Sequence, residues 1–109
     1  MARYMIQAAY TAEAAAMFAS KPQDRVAGVR ALLERLGAQM DSFDYCIGDY
    51  DVMATYTAPD DITATALALA ALAPGHLKAF KTTKLLSPDE FLMASQKASG
   101  AGYQGPSRG

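Results

Sequence analysis

The chain has 109 residues, half of them hydrophobic and 19% charged, with a formal net charge of −1, which is the composition of one globular domain of common size with its own core. The near balance of charge argues against nucleic acid and against an anionic membrane as partner. One cysteine and one histidine leave too few soft ligands for a structural zinc site, and no glycine-rich nucleotide loop or GxSxG elbow is present, so neither metal nor cofactor is expected. No apolar run approaches the roughly 20 residues that span a bilayer. The N-terminus is too interrupted for a signal peptide, and with a lone cysteine the expectation is a cytoplasmic protein.

Arg3–Tyr10 alternates, with Tyr4, Ile6, Ala8 and Tyr10 on one side, and predicts a strand. The Ala-rich run from Thr11 predicts helix up to Ser20, after which Ser20 and Pro22 are expected to cap and open a second one. Val26, Val29, Leu33 and Leu36 recur at helical spacing, with Gly37 as the stop. Ala38–Ile47 and Tyr50–Thr57 predict two strands joined by a two-residue turn at Gly48 and Asp49. The segment 59–75 predicts a helix with Asp60 and Asp61 at its positive end, so apolar that burial on more than one side is expected. His76–Leu86 alternates as a fourth strand. Ser87, Pro88 and Glu90 form a capping-box pattern that opens a last helix, and the Gly/Ser-rich residues 99–109 read as a flexible tail beyond a domain of residues 1–98.

The order β-α-β-β-α-β plus a C-terminal helix is the ferredoxin-like α+β arrangement: a four-stranded antiparallel sheet, helices on one face, strand order 4-1-3-2. The motif Gly48-Asp49-Tyr50-Asp51, with "APDD" after the third strand and "LKAFKTT" in the fourth, resembles the GYD-domain family of small bacterial proteins over roughly residues 3–95. The resemblance implies a ferredoxin-like fold similar to dimeric α/β-barrel proteins, and by itself no particular activity.

A two-residue turn would pair Ile47 with Tyr50, Cys46 with Asp51, Tyr45 with Val52 and Phe43 with Ala54. The helix-facing layer would then hold Phe43, Tyr45, Ile47, Tyr50, Val52, Ala54 and Tyr56, together with Ile6, Ala8, Leu77, Ala79 and Leu85. The opposite face would collect Met5, Gln7, Met40, Ser42, Asp44, Cys46, Asp51, Met53 and Thr55, with His76, Lys78, Phe80, Thr82 and Lys84 from the last strand. That face is too polar for a closed core and too rich in methionine for solvent, since burial of one such side chain is worth about 1.5–3 kcal/mol. A second copy covering it makes a homodimer, or a higher homo-oligomer, around a cavity of mixed polarity. Its ligand-binding candidates are Met5, Gln7, Cys46 and Asp51 with Met53, Thr55, Lys78 and Phe80.

Asp51, near Asp44, and His76 are the candidates for proton transfer. Each has a plainer reading, a turn carboxylate and a solvated strand-end histidine. Cys46 beside Asp51 is a poor nucleophile. The expected role is binding, of a small molecule or a protein partner. The alternatives are a cofactor-independent monooxygenase- or isomerase-like enzyme, which rests on fold analogy, and an assembly subunit that docks through the helix around Thr63–Ala73.

Overall fold

The computed structural model describes residues 1–107. Its elements are β1 (Ala2–Tyr10), α1 (Ala12–Ser20), α2 (Val26–Arg35), β2 (Gln39–Tyr45), β3 (Val52–Ala58), α3 (Asp61–Leu72), β4 (Leu77–Leu85) and α4 (Pro88–Ser99). The strands form one antiparallel sheet in the order β2-β3-β1-β4. This is the expected α+β, ferredoxin-like arrangement, with β2 and β4 at the edges.

The first helical region is broken as "SKP" suggests, but not with the caps expected there. Thr11 caps α1 by accepting the Ala14 amide, whereas the Ser20 hydroxyl donates back to the Met17 carbonyl inside the helix. α2 begins four residues beyond Pro22, where the Asp24 carboxylate accepts the Val26 amide at 3.0 Å. α3 starts on Asp60, which takes the Thr63 amide and hydroxyl. α4 carries the anticipated capping box between Ser87 and Glu90. Beyond α4 no helix or strand occurs up to Ser107; the last two residues of the expected tail lie outside the described residues.

Tyr4, Ile6, Ala54 and Tyr56 from the two central strands meet Leu33 of α2 and Ala64 and Leu67 of α3 in the core. The Tyr4 and Tyr56 rings stack with centroids 5.2 Å apart. Burial raises the Tyr56 hydroxyl to about 12. Tyr4 is also raised to about 12, chiefly by the hydrogen bond it donates to the Asp61 carboxylate. Asp61 in turn pairs with Lys84 at 3.0 Å, so β1, α3 and β4 are pinned together. The Tyr4 and Lys84 bonds hold the Asp61 carboxyl below the usual range, as the Thr63 and Ser87 bonds do for Asp60 and Glu90. A depressed folded pKa stabilises above the unfolded value, and that stability is lost as pH falls through the folded value. Acid below about pH 4 should therefore lower the stability of the domain progressively. In Tyr4→Phe the acid limb of urea midpoint against pH should be shallower; an unchanged limb would remove Tyr4 from this linkage.

Two bulges change which side chains share a face. β1 pairs Ala9 with Ala79 but Tyr10 with Leu77, leaving Lys78 as the extra residue. One extra residue reverses the alternation beyond it. Leu77 keeps its expected place on the helix face, beside Tyr10. Phe80, Thr82 and Lys84, expected on the open face, instead share the helix face with Ala8, Ile6 and Tyr4, while Ala79 and Leu85 move to the open face. The second bulge, at Asp41, puts Met40 opposite Tyr56 and against the core, also contrary to expectation.

The β2–β3 ladder ends at Tyr45 and Val52, as expected from the register, and one further bond runs from the Cys46 amide to the Asp51 carbonyl at 2.7 Å. Gly48 has φ +141° while no non-glycine residue among the described residues has positive φ, so the type I′ form, which needs positive φ at Asp49 as well, is not what closes the hairpin. Ile47, expected in the core, is fully exposed, and Tyr45 is half out. α3 is buried on one side only. Ala64 and Leu67 face the core, whereas Ile62, Leu69 and Leu72 are exposed, with nothing among the described residues packed outside that helix.

Candidate functional site

Small side chains create the principal cavity. The sheet contributes Ala8 and Val52, α1 contributes Ala14, and α3 contributes Ala70 and Ala71. These short side chains leave the gap between α1–α2 and α3 unfilled, with larger Leu67 and Phe80 among its walls. Its volume is about 440 Å³. Close-packed interiors hold few voids larger than a water, and ligand pockets of about 300–1,000 Å³ are the usual size.

The deep wall is apolar and buried, formed by Ile6, Ala8, Val52 and Leu67. The exposed lining residues, Met17, Gln23, Arg25, Gly28, Pro74 and His76, mark the mouth. Tyr10 and Phe18 meet edge to face at 4.8 Å and also line a second hollow of about 290 Å³ that reaches Pro22 and Tyr45. Burial raises the Tyr10 phenol, Tyr45 and Asp51 adding to the effect and Arg25 opposing it. The loop before α2 is fixed by Tyr45, whose hydroxyl donates to Asp24 and accepts the Arg25 amide at 3.0 Å.

The residues singled out from the sequence do not converge on one place. Asp51 bridges β3 to β1: its amide donates to the Ala8 carbonyl, and its carboxylate accepts the Tyr10 amide at 2.8 Å. It thus holds the backbone next to the Ala9–Tyr10 bulge. His76 and Phe80 line the helix-side cavity rather than the open face. Lys78 is the exposed bulge residue. Met5, Gln7, Met53 and Thr55 lie on the open face, where Thr55 meets the Ser42 hydroxyl at 2.6 Å; Cys46 is half-buried beside the hairpin tip. The sheet therefore separates Phe80 from Met5 and Met53, which were expected together on the open face. Among the described residues no cluster of three or more metal-ligating side chains occurs, and no helix is long and apolar enough to cross a membrane.

Tyr10, Arg25, Val29 and Ala71 were not anticipated as site residues. The signal that points to them is the alanine content of α1 and α3, since helices of small side chains over a sheet with Ala8 and Val52 leave space.

The sequence model for the GYD domain matches residues 4–94, which is most of the chain and every element apart from the first two residues of β1 and the end of α4. The chain belongs to the GYD domain family. Among curated proteins none matches it. A solved structure titled "Crystal Structure of MtbAldR" is similar in fold, with a TM-score of 0.55 at 15% identity over 79% of this GYD domain chain. The chain spans about half, 52%, of that one, and at this identity the likeness concerns the fold alone. The Gly48–Asp51 motif of the GYD domain sits at the hairpin tip, where Asp51 secures β1, and outside the lining of the cavity.

Proposed function

We propose that this GYD domain is a small-molecule-binding module whose site is the cavity between the helices and the sheet. The observation that carries the reading is a gap of about 440 Å³ with a buried apolar wall and polar groups confined to its mouth. Filling such a wall is worth about 25 cal/mol per Å² of apolar surface removed from water, and the few polar groups would orient the occupant. The test is titration calorimetry with small apolar probes such as 2-naphthamide. Saturable binding that is lost when the cavity is blocked is expected; no binding by any such probe would contradict the reading.

A second reading concerns the open face, which we propose is covered by a second copy of the chain. Met53 is exposed there, and α4, which follows β4, has all twelve residues exposed, including Phe91, Leu92 and Met93. An isolated helix of that length is marginal in water. From strand spacing and rise the sheet face measures about 20 by 23 Å, and with about 18 Å of α4 it approaches the roughly 800 Å² per partner of a stable interface. The acidic edge carries Asp44 and the basic edge Lys81. A two-fold axis along the strands would lay one copy's β2 over its partner's β4 and bring those charges together. Light scattering at micromolar concentration should give a dimer mass, and the double variant Phe91→Glu, Met93→Glu a monomer. A monomeric parent protein would sink this reading and leave the cavity untouched.

A further inference from the structure

We infer that the occupant of the helix-side cavity is an apolar molecule with a carboxylate end, its hydrocarbon or ring against Ile6, Ala8 and Leu67 and its charge on Arg25. The inference rests on the cavity reading above and adds the sign of the ligand. The chain as a whole is slightly acidic, with 11 carboxylate side chains against 10 lysines and arginines. The cavity lining nevertheless contains no Asp or Glu; its ionisable or polar side chains are Arg25, His76, Tyr10 and Gln23.

The guanidinium of Arg25 is folded over the first turn of α2. A Cβ built on Gly28 would meet Arg25 Nη2 at 3.0 Å and Cζ at 3.3 Å, so the absence of a side chain at Gly28 makes room for the head group at the cavity mouth. Arg25 also acts electrostatically on Tyr10, across the mouth from it. The nearest acidic residue in sequence, Asp24, is turned away: its carboxylate accepts the Val26 amide and the Tyr45 hydroxyl and does not line the cavity. Among the described residues the ion pair observed is Lys84 with Asp61, and Arg25 is in none.

A planar guanidinium without a protein carboxylate, beside a low-dielectric wall, matches a carboxylate in two parallel hydrogen bonds. The phenol of Tyr10 and the amide of Gln23 can donate to the same oxygens. An uncharged ligand of the same shape would keep the apolar contacts and leave the guanidinium in water. A cationic one would meet a like charge.

Matched pairs test this at low salt and near-neutral pH: benzoate and benzamide, 2-naphthoate and 2-naphthamide, decanoate and decanamide. The carboxylate should bind about tenfold or more tightly than its amide, as a charge-assisted bond requires, and added salt should narrow the gap. Arg25→Gln should bring the two affinities together, and Arg25→Lys should restore part of the preference. Equal affinities in the parent protein, or a preference unchanged in Arg25→Gln, would overturn the assignment of charge while leaving the cavity as a binding site. Failure of both members of every pair to bind would overturn the cavity reading as well.

Discussion

Leu33→Ala is expected to lower the free energy of unfolding by about 3 kcal/mol. Leu33 is fully buried and packs with both sides of the core, Tyr4 and Tyr56 from the sheet and Leu67 from α3. Its carbonyl also accepts the Ala38 amide that turns the chain from α2 into β2. Truncation removes about three methylene equivalents from an apolar site, and a cavity term adds to the transfer term because the surroundings collapse only in part. Here collapse is resisted: the stacked tyrosines are fixed by the Tyr4–Asp61 bond and by the pairing of β1 with β3. With a total stability of about 5–15 kcal/mol for a domain of this kind, such a loss is a large share, and the thermal midpoint should fall by about 15 °C. Urea unfolding gives the number directly; a loss below about 1 kcal/mol would mean that the core around Leu33 is not packed as described.

Ala71→Phe has the largest expected effect on binding. Ala71 lines the cavity one turn beyond Leu67 on α3, so a phenyl group there enters space that is already empty. Overpacking of a filled core costs about 1–3 kcal/mol, but filling a void removes apolar surface from water without forcing neighbours aside. The variant should therefore unfold at or above the parental midpoint while binding of the naphthalene probes falls below detection. Retained binding in a stable Ala71→Phe protein would place the probe elsewhere. The stability readout matters because it separates a blocked site from a damaged fold.

The fold was legible because its signals are local and redundant. The alternation of β1, the heptad-like spacing of Val29, Leu33 and Leu36, and the Ser87–Glu90 cap each specify an element in isolation, and their order admits one common topology. What was not legible is parity across the bulges. Lys78 and Asp41 carry no glycine or proline to announce an extra residue, yet each reverses the face of what lies beyond it. That single kind of error moved Phe80 and Met40 to the wrong layer and assembled an open-face site from residues that the sheet keeps apart. The cavity escaped for a different reason. It is made by side chains that are small, and an alanine in a helix reads as propensity before it reads as missing volume. Asp51 stood out in the sequence as a charge near the open face, and its carboxylate is occupied by the Tyr10 amide.

The most direct test of a binding site between helices and sheet is an amide-resolved NMR titration with 2-naphthoate on the full chain. The perturbed residues should be Ala8, Val29, Leu67, Ala71 and Leu77, with Arg25 and Tyr10 at the mouth. Shifts concentrated instead on Met5, Met53 and Thr55 would put the ligand on the open face of the sheet and contradict the account.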